Sequence, residues 1–485
     1  MGVLAWRSRG WPLIHDAPLM HYIAWRISEG AVPYRDLFDM NFPGVYLLHL
    51  AALKLFGTGD AGWRAFDLVW LAATSLAAAA LAAPWGRLAA AGAGLFMAAY
   101  HLAAGAWQMG QRDFLLCPFL LLAALAVARW SERPGQRASL AWGGLALGVG
   151  ITVKPHAGLL AAALLVLVAV VARRRGLLES ERASDGATPA ARRLSARTVA
   201  APVGIFAAAI VVPSLAVVAW LAAVGALPAW YDIVVRYLVP LYSRLGRPDR
   251  WTFYRWHVWL PIAAGVAISL GSALAGRRFG TRHAVVTVGL GYGLVHFFGQ
   301  GKGWEYHLYP LAAFAAVALF AELPRLVEAS RAAAVPLLAC IVAAAAMLGI
   351  KGVEASDAAW IAAKERRVSA VVADLDGRIA PEDFVQVLDT SEAGAHALLR
   401  LHAVQPTRFI YDFHFYHDVQ TPMIRRLRDE FLTSFDAQPP KFVVLFERGW
   451  PAGGYERVDG FAGLRLRLSA YRIDRRGDGY LVYAR

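Results

Sequence analysis

Four stretches of this chain set ionisable side chains against apolar sequence, and chemistry is to be sought there. The first opens with His15 and Asp16 and runs on through Asp36, Asp39 and Asn41. The second is Arg112 with Asp113, the third Lys154 with His156 between two apolar runs, and the fourth Gln300 to His307. Charge beside such runs is expensive to keep and marks a functional site by default. Asp16, directly ahead of Ala17, reads either as the cap of a helix or as a reactive carboxylate. Asp36 and Asp39 either bind hydroxyl groups or hold a turn. Arg112 carries the planar fork that grips an oxyanion at two points, while Asp113 either pairs with it or caps the following helix. Lys154 either meets an anion or snorkels to the interface. The last turn packs Lys302, Glu305, Tyr306 and His307 together at a density that solvation alone does not explain, yet Glu305 and His307 are too few for a metal site.

The elements that position these groups are dictated by composition. Of 485 residues, 58% are hydrophobic and 17% charged. That apolar share is above that of a soluble domain. A bilayer core takes roughly 20 apolar residues of helix, and runs near that length recur from Leu68 to Ile350. Spans are expected near 65–83, 88–107, 114–128, 140–153, 156–172, 199–226, 258–275, 284–298, 308–323 and 332–350, about ten in all, with a break at Lys154. Arg87, the group Arg129, Arg133 and Arg137, the segment Arg173 to Arg197, the group Arg277, Arg278 and Arg282, and Arg325 with Arg331 fall on alternate connections. By the positive-inside rule these face the cytoplasm, which sends all four candidate stretches, the loop 227–257 and everything after Lys351 to the opposite side. The net charge of +14 therefore reports topology and not a nucleic-acid surface. Cys117 and Cys340 both lie in apolar runs and offer no disulfide framework.

The expected fold class is mainly α: a polytopic membrane helix bundle with a small α/β C-terminal extracytoplasmic domain. The division is 1–350, membrane domain, and 351–485, soluble domain. Within the first, 1–64 forms an outer loop with interfacial helices at Ala17 to Ser28 and Val45 to Phe56, and 173–198 a flexible basic cytoplasmic linker. An outer start at residue 65 calls for a preceding membrane helix, which Gly2 to Ile14, with Arg7 and Arg9, is too short to supply. In the C-terminal part, strands are expected at Val385 to Asp389, Phe409 to Phe413, Phe442 to Phe446 and Tyr480 to Tyr483, with helices at Ala393 to His402 and Met423 to Ser434. Arg64 and Asp67, one turn apart, read as a local pair.

From His15 to Phe66 the chain resembles the GT-C glycosyltransferases, in the branch of the protein O-mannosyltransferases and the lipid A aminoarabinose transferase. The likeness rests on Asp16 ahead of an interfacial helix, on Gly30, Tyr34 and Asp36, and on the Pro-containing run Phe38 to Gly44. The turn from Lys302 to Pro310 is similar to the family's late Tyr, Leu and Pro loop. Ala17 stands where the family commonly has a second acid, which argues against a metal-dependent version, and Asn41 stands where lysine is frequent, so another cation must meet the phosphate.

The resemblance implies an inverting transferase that takes one sugar from a polyprenyl-phosphate donor to a glycan, lipid or protein acceptor at the outer face of the plasma membrane. Asp16 would take or steer the acceptor proton. Asp36, Asp39, Asn41, Arg112, Asp113, Lys154, His156, Lys302, Glu305, Tyr306 and His307 would contact donor or acceptor. No organic cofactor is implied, and a divalent cation is the one addition the family admits. Two alternatives stand beside it. A secondary transporter or lipid-linked sugar flippase would show internal repeats, and none is found. A related oligosaccharide polymerase or ligase would share most of these residues.

Overall fold

The computed structural model describes residues 2–133, 135–182, 189–246, 256–355 and 358–485, with backbone alone at 178–182, 189–198, 256 and 358. In chain order the helices are α1 (Gly2–Ser8), α2 (Ala17–Ser28), α3 (Pro43–Phe56), α4 (Asp60–Ala82), α5 (Arg87–Ala104), α6 (Arg112–Glu132), α7 (Arg137–Val153), α8 (Ala157–Arg182), α9 (Pro189–Ala223) and α10 (Leu227–Tyr231). A π-helical segment, Asp232–Tyr242, continues from α10. Then come α11 (Trp256–Ala275), α12 (Thr281–Gln300), α13 (Tyr309–Ala321), α14 (Leu323–Ala329), α15 (Arg331–Ala355) and α16 (Ala358–Leu375). The rest holds β1 (Val385–Leu388), α17 (Gly394–Leu401), α18 (Pro422–Ala437), β2 (Phe442–Phe446), α19 (Ala462–Leu468), β3 (Arg472–Gly477) and β4 (Tyr480–Ala484). Each of the ten apolar runs is a helix, and among the described residues seven helical stretches are long and apolar enough to cross a membrane. The segment expected to be a flexible linker is helical at both ends, through Arg182 and from Pro189, and its interior lies outside the described residues, as do Arg247, Arg250 and Trp251.

One compact unit comprises Met1–Trp6, Leu68–Val218 and Pro248–Ala355. At its centre α13 is buried at all thirteen of its positions. A helix apolar all round belongs in the interior, and α13 packs against α5, α6, α11 and α12. Close approach there depends on small residues: a Cβ at Gly293 of α12 would stand 2.5 Å from the Leu311 backbone. The break expected at Lys154 is real. Pro155 disfavours helical backbone at the residue before it, and Lys154 is extended, with φ −148° and ψ 111°. At the end of the bundle where α6 finishes and α12 begins, Arg282 clasps Glu132 through two bonds of 2.8 Å and donates to the Leu81 carbonyl at 2.7 Å.

The second unit comprises Arg7–Asp67, Ala219–Arg247 and Ser356–Arg485. Its sheet runs in the order β1-β2-β4-β3, with β1 and β2 parallel and the other pairs antiparallel. Two strand expectations change. Residues 409–413 form bends ending in a 3-10 turn instead of a strand, although Phe409 makes an isolated bridge to Phe38. The fourth strand is β3, whose arginine-rich exposed face hid it from a search for apolar runs. The helix α2 is also more enclosed than an interfacial helix: every residue from Ala17 to Trp25 is buried, and it packs on α3 and α17. Arg64 and Asp67 do pair, both nearly inaccessible, and Arg64 also donates to Ser8 Oγ at 2.5 Å.

Candidate active site

Within the membrane unit the candidate residues collect at one end of the bundle, where α6 and α13 start and α7 and α12 finish. Asp113, in the first turn of α6, is fully buried. Its carboxylate accepts two bonds from Lys154 Nζ, at 2.7 and 2.6 Å, and a third from His296 Nε2 at 2.5 Å. The far nitrogen of His296 lies 3.2 Å from the Tyr292 hydroxyl, so with Nε2 donating to Asp113 the phenol donates to Nδ1. Asp113, which reads from the sequence either as a partner of Arg112 or as a helix cap, is held in this clamp by Lys154 and His296. Lys154 thus has most of its donor capacity engaged by Asp113. His156, exposed, and His307, buried, each present a ring edgewise to His296, at 5.5 and 6.2 Å between centroids. His307 Nδ1 has no hydrogen-bond partner among the described residues.

The turn ahead of α13 adds a second layer. Glu305 forms a buried ion pair with Lys351, which also donates to the Ala103 carbonyl at 3.3 Å. Lys302 is nearly buried, with its ammonium 5.9 Å from the Trp304 ring centre. Tyr306 packs edgewise on His307 at 4.6 Å. Helices α6 and α13, which launch these residues, lie in the two most enclosed spans, each with 78% of its apolar window buried. A rigid interior therefore fixes the start of both helices. Sequence reasoning missed His296, Tyr292 and Lys351. The signal was present, since His296 follows Tyr292 by one turn inside an apolar run, where an imidazole has to be explained.

In the second unit Asp16 stands at the N-cap of α2 with helical backbone angles and makes no side-chain capping bond. Of the two readings of this carboxylate, the cap is thus not formed. Asp16 is about one-fifth exposed, and His15 Nδ1 lies 3.2 Å from its Oδ1. His15 itself has φ 62°, in the left-handed region that non-glycine residues rarely occupy. It lines a narrow cleft of about 20 Å³ together with Ile14, Pro18, Ser391 and Tyr411. The Tyr411 hydroxyl is buried without a hydrogen-bond partner among the described residues, and burial pushes this phenol well above its ordinary pKa.

The remaining candidates are held in local structure. Asp36 binds Arg35 through bonds of 2.7 and 2.8 Å and accepts from the Val32 amide at 2.8 Å, so it closes the turn; Arg35 holds its carboxyl below the usual range. Buried Asp39 accepts from Asn41 Nδ2 at 2.7 Å and from the Tyr46 hydroxyl at 2.6 Å, while Tyr34 donates to the Asn41 carbonyl. This knot shapes the run Phe38 to Gly44. Among the described residues no three His, Cys, Asp or Glu side chains converge as a metal site.

The family model for dolichyl-phosphate-mannose-protein mannosyltransferases matches residues 42–188. Comparison with curated proteins gives no match. Among solved structures, ArnT from Cupriavidus metallidurans bound to undecaprenyl phosphate aligns over 100% of this chain and 96% of its own, at 15% identity and a TM-score of 0.61. Its apo state aligns over the same shares at 14% identity and 0.55. The oligosaccharyltransferase of Archaeoglobus fulgidus tethered with an acceptor peptide aligns over 98% of this chain and 70% of its own, at 12% identity and 0.51. Over its full length the chain thus shares the fold of these structures, and its residues 42–188 match the mannosyltransferase family model.

Proposed function

We propose that this chain transfers one sugar from a polyprenyl-phosphate donor to a hydroxyl-bearing acceptor, with inversion, on the side of the membrane opposite its basic loops. The acceptor oxygen attacks the anomeric carbon, the bond from that carbon to the phosphate oxygen breaks, and the polyprenyl phosphate departs. The acceptor proton goes to Asp16, whose carboxylate is partly exposed and not engaged as a helix cap. Tyr411, with its unpartnered hydroxyl in the cleft lined by His15, offers a hydrogen bond to the acceptor.

The observation that carries this reading is the charge balance around Asp113. Lys154 meets this carboxylate, the neighbouring residue Arg112 adds a second fixed cation, and His296, His156 and His307 lie beside them, with Lys302 in the turn ahead of α13. A net positive cluster in a poorly solvated setting favours an anion, and Arg112 is suited to hold a phosphate through two parallel bonds. The lipid carrier is inferred from the undecaprenyl phosphate bound by the Cupriavidus ArnT.

The test is turnover of a panel of polyprenyl-phosphate sugars by the full chain in lipid, comparing wild type with Asp16→Asn. Loss of a general base is expected to lower the rate about 10²- to 10⁴-fold while leaving donor binding intact. Undiminished turnover by the variant would remove Asp16 from the mechanism. Binding without turnover on every donor would favour transport, and transfer from diphosphate-linked oligosaccharides alone would favour a ligase.

A further inference from the structure

A second polar-apolar construction lies at the other end of the bundle from Asp113. Helices α6 and α7 and the α9 residue Pro213 enclose a lateral groove of about 600 Å³. Glycines let α7 lie close against α6 and α9: a Cβ at Gly143 would stand 2.3 Å from Ala126 Cβ, and one at Gly148 would stand 2.3 Å from the Ile210 carbonyl oxygen. The walls are apolar, and two of them face outward, Leu122 at 43% and Trp142 at 72% exposure. At one end the groove closes on Arg129, Gln136 and Ser139. From Ser139 to Val149 the groove follows α7 for ten residues, about 15 Å of helix rise, which is one leaflet of a hydrocarbon core of about 30 Å.

The polar end is short of acid. Arg129, Arg133 and Arg137 cluster there with no ion pair among the described residues, and the nearby carboxylate, Glu132, is taken by Arg282. Ser139 already donates to the Ala126 carbonyl, which leaves arginine and amide as the groups on offer. An apolar trough one leaflet deep, open to the side and capped by exposed arginines, has a complementary ligand in a diacyl lipid with a phosphate head. We propose that this groove holds an anionic phospholipid of the leaflet on the basic-loop side, its acyl chains along α7 and its phosphate on Arg129 and Gln136. The site is independent of the transferase reading and serves to fix the crossing of α6, whose opposite end carries Asp113.

The test uses the full chain purified in detergent and examined by native mass spectrometry after titration with phosphatidylglycerol, phosphatidylcholine or undecaprenyl phosphate. One phosphatidylglycerol is expected to be retained per chain, with affinity about fivefold weaker in Arg129→Gln and largely kept in Arg129→Lys. Ala146→Trp, which fills the trough without touching charge, is expected to expel the lipid; melting curves of each variant confirm that it is folded. Equal retention of phosphatidylcholine, displacement by undecaprenyl phosphate at equimolar concentration, or unchanged retention in the folded Ala146→Trp variant would each overturn the proposal.

Discussion

Asp113 holds an ammonium and an imidazole inside a helix bundle, and the three groups are worth more as a set than as pairs. In Asp113→Asn the Lys154 charge remains buried with its main acceptor gone, which is expected to destabilise the chain by about 3–5 kcal/mol. The apparent melting temperature in detergent reads this directly. Asp113→Asn combined with Lys154→Met removes both charges and is expected to recover most of the loss; no recovery would mean that the pair is not the unit. A second residue-scale prediction concerns His21, fully buried in α2, with Nδ1 3.3 Å from His49 Nδ1. Burial lowers its pKa to about 4. Above pH 6.5 the imidazole is neutral in both folded and unfolded chains, and its contribution is complete. Between pH 6.5 and 4 the unfolded chain takes up a proton that the folded chain refuses, so stability falls across that window by about 3 kcal/mol. His21→Leu should show a flatter melting profile between pH 7.5 and 4.5, and a slope as steep as that of wild type would refute the assignment.

Among the elements, the hairpin β3-β4 shows how a local signal outranks composition. Gly477 pairs with Tyr480, so Asp478-Gly479 is a two-residue turn, and Gly479 has φ 76°. Asp-Gly between two strands is a strong hairpin signal, and the positive φ is what the turn requires. It was legible in the sequence, but the search for apolar runs passed over an edge strand reading Arg-Ile-Asp-Arg-Arg-Gly. Phe409 to Phe413 failed in the opposite way, since its aromatics are buried by packing on Phe38, Phe415 and Trp450 and not by strand pairing. A β-branched residue at position 479 must enter the left-handed region, so Gly479→Val is expected to cost about 1–2 kcal/mol and lower the melting temperature. Gly479→Asn, which tolerates that region, should cost less; equal losses would point to lost packing instead of backbone strain.

For the molecule as a whole, orientation is the property with the widest consequences. The basic loops place Arg137 and its neighbours on one side, and the transferase reading needs the C-terminal unit on the other. A single cysteine at exposed Ala470 should react with a membrane-impermeant thiol reagent in intact cells, whereas one at exposed Ala138 should react only after the membrane is opened. The reverse pattern would invert the topology and with it the side on which any sugar is handled. Of the native cysteines, Cys117 is buried and Cys340 half-buried, so a cysteine-free background is a small change.

By itself the sequence determined the helices, their approximate limits and the break at Lys154, because hydrophobic run length, proline chemistry and loop charge are local quantities that no partner needs to supply. It also singled out Asp16, Arg112, Lys154 and Lys302 as candidates for chemistry, since polar groups next to lipid-length apolar runs have to be explained. Only the tertiary structure decided which charge meets which. That Asp113 takes Lys154 and His296 depends on helix packing and side-chain direction across separations of 41 and 183 residues. Such pairings leave no trace in spacing, because the contact is made by elements whose order along the chain says nothing of their neighbours in space.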